Sequence, residues 1–178
     1  KNIDQLIAAL PALLSKWPDL KLLFAGSGDL RPELERQTRA LQLERHVIFC
    51  GKVPDAELAD HYRLASVFAL PSEKEGFGIV FLEALGCGLP VLAGNRDGSC
   101  DPLEDGRLGL LVDPHLPLAP ALDALLSGQG RDLWFQPEAL SRSAAASFGF
   151  SAFCERLDQL LTDAPIQQAP NDGVPPPL

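Results

Sequence analysis

Two glutamates, Glu75 and Glu83, stand eight positions apart with Gly76-Phe77-Gly78-Ile79-Val80-Phe81-Leu82 between them. The apolar run predicts a helix over Phe77–Leu85, so Gly76 and Gly78 bare the first amide groups of that helix. Unpaired N–H groups at the positive end of a helix dipole attract an anion, and glycine lets a bulky ligand approach the backbone. Glu83 has Ile79, Val80, Phe81, Leu82, Ala84 and Leu85 as neighbours. A carboxylate in a helix that is apolar on nearly every side is costly to bury without a partner. It either lies on a thin polar stripe, pairs with an internal arginine, or faces a site and accepts hydrogen bonds from hydroxyl groups. Glu75 precedes the helix and Glu83 sits in its second turn, with the anion-seeking tip between them. A phosphate flanked by two polyhydroxyl groups would suit all three, and that is the chemistry of a nucleotide diphosphate-sugar. The plainer alternative is a glycine-containing turn that binds nothing.

Other positions carry weaker signals. Gly26-Ser27-Gly28 follows an apolar run and precedes a helical one, but Arg31 stands where a third glycine would complete a dinucleotide fingerprint. A tight turn explains the pair equally well. Lys52 follows Gly51 at a strand end, and Asn95-Arg96-Asp97-Gly98-Ser99 is a polar loop that could be a plain turn or face a substrate. Lys1 and Asn2 say little by themselves. Cys50, Cys87, Cys100 and Cys154, with His46, His61 and His115, show neither zinc spacing nor a redox pair. They read as reduced thiols and scattered imidazoles of a cytoplasmic protein with no metal site.

The elements that must hold these residues alternate. Helical spacing runs from Asn2 to Lys16, and Leu20–Ala25 is a short apolar strand. Asp29 looks like the N-cap of a helix with Pro32 in its first turn. Val47–Cys50 is a second strand, and Asp55 caps a helix to about Arg63. Strands over Val67–Leu70, Pro90–Ala93 and Leu108–Val112 follow, with the Phe77–Leu85 helix among them. Short apolar strands between helices imply one parallel sheet with helices on both faces, and ligands at the strands' carboxyl ends. Beyond Pro114 the pattern is helical, over Leu116–Leu126, Pro137–Ser147 and Ser151–Leu161. Residues 164–178 are proline-rich without apolar period, and read as a disordered tail. The chain opens in a helix, whereas such a domain normally opens in a strand. It is therefore expected to lack its first strand and to be part of something longer.

The whole-chain balance narrows the function. In 178 residues, 15 basic and 24 acidic side chains give a net charge of −9, poor for binding nucleic acid or anionic membranes. The apolar stretch Ile79–Ala93 is cut by Glu83, Gly86, Gly88 and Pro90, so no transmembrane segment is expected. The opening residues show no basic-then-apolar pattern, so no secretory leader is expected among them.

Four segments together resemble one family: Leu22 to Gly28, Val47 to Val53, Ala65 to Ser72, and Glu75 to Ala84 with its E-x(7)-E element. They resemble the C-terminal, donor-binding domain of family 4 (group 1) retaining glycosyltransferases of the GT-B fold. The resemblance spans about residues 1–163 and implies a Rossmann-like α/β domain. It also implies a role for each matching residue. Glu75 would contact the donor hexose and is the candidate catalytic residue. Gly76, Phe77, Gly78 and Ile79 would hold phosphate and sugar. Glu83 would bind the ribose hydroxyls, Val53 the nucleotide base, and Gly26 and Gly28 would flank the donor. Lys1 would neutralise the diphosphate, with Asn2 replacing the family's usual glycine. The family transfers a sugar from a nucleotide diphosphate-sugar without a metal or other cofactor. Its acceptor binds an N-terminal domain not present here, so the chain alone is expected to be inactive. The loop Asn95 to Asp101 departs from the family's glycine-glycine-x-x-glutamate. Two rivals stay open: a nucleotide-binding or regulatory module without chemistry, and another GT-B enzyme such as an epimerase or phosphorylase.

Overall fold

The structure, a computed structural model, describes residues 2–163. Lys1 and the proline-rich segment 164–178 lie outside the described residues. Helix α1 (Ile3–Leu14) opens the fold, and strands β1 (Leu22–Ala25) and β2 (Val47–Gly51) follow with helix α2 (Arg31–Ala40) between them. Helix α3 (Asp55–Leu64), strand β3 (Phe68–Leu70), helix α4 (Ile79–Gly86), strand β4 (Val91–Gly94) and strand β5 (Leu110–Val112) come next. Helices α5 (Ala119–Leu126), α6 (Pro137–Phe148) and α7 (Phe150–Asp163) complete the described residues.

Among the described residues every strand pairing is parallel. The expected single sheet is instead two hydrogen-bonded pieces, β1-β2 and β3-β4-β5. Leu22 pairs with Val47 in the first; Phe68 pairs with Val91 and Leu92 with Leu110 in the second. Strand β4 lies between two neighbours, and Val91, Leu92 and Ala93 are fully buried, which is why its sequence is an unbroken apolar run.

Helix α1 joins the two pieces. Leu6, Ala9 and Leu13 belong to the larger core with β3, β4 and α4, whereas Ile7 and Leu10 belong to a smaller core with Leu34, Leu43 and Val47. Apolar residues at adjacent positions give the helix two buried faces. Pro11 forfeits one backbone hydrogen bond inside α1, and the burial on both faces holds the helix together across it. Asn2 caps α1 at φ 52°, a left-handed conformation that asparagine tolerates better than most side chains. Its Nδ2 donates to Pro71 O at 3.0 Å, which sets the start of α1 beside the end of β3.

Several helix starts differ from expectation: Pro54, not Asp55, is the N-cap of α3, so Asp55 is its first residue, and α5 begins at Ala119 rather than Leu116. Asp29 does not cap α2; Leu30 occupies that position without a side-chain bond. Helix α4 begins at Ile79 rather than Phe77, because Gly78 is its N-cap, at φ 84°. At the other end of the chain, α7 carries Phe150, Phe153, Leu160 and Leu161 exposed to solvent.

Candidate functional site

The loop from Pro71 to Gly78 joins β3 to α4, and the loop after β4 holds it in place. Asp97 is the fastener. Its Oδ2 accepts from Ser72 Oγ at 2.9 Å and from Glu75 N at 2.7 Å, and its Oδ1 accepts from Ser99 N at 2.9 Å. Gly98 N donates in turn to Glu75 O at 3.0 Å. The backbone of Glu75 is thus gripped on both its amide and its carbonyl. Burial pushes the Asp97 carboxyl up, but the hydrogen bonds from Ser99, Glu75 and Ser72 outweigh it and hold the group below its ordinary range. The ionised form is therefore the one that makes the clamp.

Close approach of the two loops requires glycine. A Cβ at Gly98 would stand 2.0 Å from Gly76 O, and one at Gly94 would stand 2.1 Å from Ser72 O. At the helix tip the space a Cβ of Gly78 would need is filled by the Phe81 ring, 2.5 Å away. The amides that the tip presents therefore begin at Gly78 and Ile79, while Gly76 and Phe77 belong to the preceding loop. Gly76 and Ile79 are exposed, and the Phe77 ring packs edge-on against Phe148, with centroids 5.9 Å apart. Phe77 can thus meet a ligand through its backbone, since its ring is committed to the end of α6.

Two side-chain contacts tie the same rim further out. Arg96 grips Asp113 with Nε at 3.1 Å and Nη2 at 2.7 Å, joining the β4 loop to the end of β5. His115 Nε2 lies 2.7 Å from Glu73 Oε1, joining the β5 end to the β3 loop. Both pairs are solvent-exposed and shape the loops more than they stabilise the fold.

Glu83 lies in the second turn of α4, half-buried and facing α3. Its Oε2 accepts from the Tyr62 hydroxyl at 2.8 Å. Of the sequence alternatives, pairing with an internal arginine is replaced by this neutral donor. Burial and the Glu83 carboxylate together push the Tyr62 phenol well above its usual range, so it stays protonated and donating.

The remaining candidates sit on the smaller sheet piece. Gly26 ends β1 at φ 124°, and its N–H donates to Gly51 O at 2.7 Å; Gly28 is exposed and open around its Cα. Val53 is half-buried after β2, where Lys52, Val53, Pro54 and Asp55 line an open depression of about 350 Å³. Lys1 lies outside the described residues. The structure therefore gathers Glu75, Gly76, Gly78 and Ile79 around one helix tip, sets Glu83 one turn along the same helix, and carries Gly26, Gly28 and Val53 on the other piece. Among the described residues no cluster of histidine, cysteine or acidic side chains could hold a metal ion. No described helix is long and apolar enough to cross a membrane.

Sequence reasoning missed Asp97 and Tyr62. Asp97 lies in the polar loop whose role the spacing left open. Tyr62, the one tyrosine in the chain, lies 21 residues from Glu83, and no local pattern links them.

Residues 1–143 match the family model of the glycosyl transferases group 1. The GDP-mannose-dependent alpha-(1-6)-phosphatidylinositol monomannoside mannosyltransferase of Mycolicibacterium smegmatis is 40% identical over 120 residues, covering 64% of this chain and 31% of that protein. The C-terminal domain of LpcC, a glycosyl transferase group 1 family protein from Francisella tularensis, superposes with a TM-score of 0.68 at 26% identity, over 83% of this chain and 79% of that domain. The fold also matches Anabaena HepE, solved in complex with UDP, with a TM-score of 0.75 at 24% identity, over 90% of this chain and 44% of that one. The chain spans about a third of the length of the curated relatives it matches.

Proposed function

Because the chain belongs to the glycosyl transferases group 1, we propose that it is the donor-binding part of a retaining, GT-B glycosyltransferase. The donor is a nucleotide diphosphate-sugar, and the acceptor is bound by a further, N-terminal domain. The diphosphate meets the amides at the tip of α4, where the helix dipole and unpaired N–H groups favour negative charge. Glu75 contacts the hexose, Glu83 the ribose, and Val53 the base. As the bond to the leaving diphosphate breaks, the added negative charge falls on those amides and on Lys1, so the scheme needs no metal. The isolated cysteines fit a cytoplasmic setting.

One observation carries this reading. The Gly78-capped start of α4 stays open to solvent at Gly76 and Ile79, while a dedicated hydrogen-bond clamp fixes the Glu75 backbone beside it. Buried Ser72, ionised Asp97 and the close contact at Gly98 all converge on the backbone of this loop, so it is held in one conformation beside the open helix start.

Calorimetric titration of the chain with GDP and with UDP tests it. At least one of the two binds, and Glu83→Ala weakens that binding about tenfold or more, as expected for a lost hydrogen bond to a charged group. Unchanged affinity in Glu83→Ala would remove Glu83 from the site. Binding of neither nucleotide would favour the reading as a module without donor chemistry.

A further inference from the structure

The one tyrosine of the chain donates its only proton into the candidate site. Tyr62 lies in the last turn of α3, and its hydroxyl reaches Glu83 Oε2 at 2.8 Å. The alternative acceptor within reach, Val80 O, is 3.5 Å away, so the proton goes to the carboxylate. The ring that carries the hydroxyl is held in a chain of aromatic contacts. Tyr62 tilts against Phe68 of β3 with centroids 5.6 Å apart, and Phe68 meets Phe81 of α4 edge-on at 5.9 Å. Phe81 is fully buried and is the ring that fills the space beside the Gly78 cap. The hydroxyl is therefore mounted on the same packed unit that sets the helix tip.

A glutamate on a helix surface has three rotatable bonds, and ordering it costs entropy when a ligand arrives. A fixed donor on one oxygen removes that cost beforehand. A carboxylate offers about four lone-pair positions, so one bond from Tyr62 leaves Oε1 and part of Oε2 able to accept from a ligand. We propose that Tyr62 is a positioning residue: its hydroxyl holds the Glu83 carboxylate in the orientation that receives the 2′-hydroxyl of the donor's ribose. This rests on the assignment of Glu83 to the ribose made above. It predicts that discrimination between ribose and deoxyribose depends on an oxygen that touches neither.

The experiment compares the affinities of GDP, UDP and their 2′-deoxy counterparts for the unmodified chain, Tyr62→Phe and Glu83→Gln. Tyr62→Phe keeps the ring and its packing on Phe68, and a thermal melt confirms that the fold is retained. The unmodified chain prefers the ribonucleotide by about tenfold. Tyr62→Phe brings that preference to within about twofold while leaving affinity for the 2′-deoxy nucleotide unchanged, and adding it to Glu83→Gln has no further effect. A brace that merely joined α3 to α4 would lower both affinities together, or neither. If the unmodified chain discriminates and Tyr62→Phe discriminates equally well, the positioning role is overturned while the ribose assignment stands. If the unmodified chain binds ribose and deoxyribose forms alike, the ribose assignment of Glu83 fails, and the role of Tyr62 with it.

Discussion

Asp97 shows how much one side chain can fix. It uses both carboxylate oxygens as acceptors, Oδ2 for Ser72 and Glu75 and Oδ1 for Ser99. A carboxamide has only one acceptor oxygen, so Asp97→Asn turns an NH₂ group toward a donor whichever way it lies. We expect Asp97→Asn to lower stability by about 2–3 kcal/mol, since a buried hydroxyl or amide loses its acceptor. Urea unfolding at neutral pH reads this directly. The clamp also sets a pH dependence with a definite sign. The folded pKa of Asp97 lies below its unfolded value, so its contribution is complete above the unfolded value and is lost as pH falls through the folded one. Asp113, Asp123 and Glu104 are likewise lowered and weaken the fold in the same acid window. The difference between the unmodified chain and Asp97→Asn isolates the clamp. That difference stays constant near neutrality and narrows toward about pH 3. A gap that widened on acidification would contradict the hydrogen bonds assigned to the ionised form.

At the scale of the element, the contact of the β4 loop on the β3 loop depends on a missing side chain. In Gly98→Ala the new methyl would meet Gly76 O at 2.0 Å, a backbone atom that cannot swing aside. We expect that substitution to cost more than about 2 kcal/mol and to lower the melting temperature by several degrees. Nucleotide affinity should fall with it, because Gly76 moves with its carbonyl. The elements themselves were largely legible in the sequence. The apolar runs at Leu22, Val47, Phe68 and Val91 announced their strands, because strands with covered faces need no polar alternation. The start of α4 was not legible to within two residues. Phe77 continues the apolar run, and only the left-handed Gly78, with the Phe81 ring in place of its Cβ, shows where the helix begins. Local pattern also finds strands without saying which edges pair, so the division into β1-β2 and β3-β4-β5 could not be read from it. Tyr62 and Asp97 escaped for the same reason. Each meets a key partner across more than twenty residues of chain, and single polar residues in amphipathic surroundings carry no mark of the contact they will make.

The whole molecule turns on α1. A two-stranded sheet is marginal alone, and the core behind β1-β2 holds only Ile7, Leu10, Leu34, Leu43 and Val47 as buried members. Among the described residues, two of those five come from α1, whose other face is docked in the larger core through Leu6, Ala9 and Leu13. The smaller piece therefore borrows stability through one helix, and it should open at lower free energy than β3-β4-β5. Removing the fully buried Ile7 side chain tests this. We expect Ile7→Ala to cost about 2–4 kcal/mol, felt first by the β1-β2 amides, with hydrogen exchange at Val91–Ala93 changing less. This weakness has a bearing on the donor site, because Gly26, Gly28 and Val53 ride on the smaller piece while Glu75, Gly78 and Glu83 ride on the larger. A ligand that touches both must favour states in which both are folded, and its binding energy then appears as added protection in β1-β2. Saturating GDP or UDP should thus slow exchange at Leu23–Ala25 as well as around the start of α4, and Ile7→Ala should weaken binding although it touches no ligand. If the nucleotide protects only the surroundings of α4, Gly26, Gly28 and Val53 do not take part in holding it. The donor site would then belong to the β3-β4-β5 piece alone.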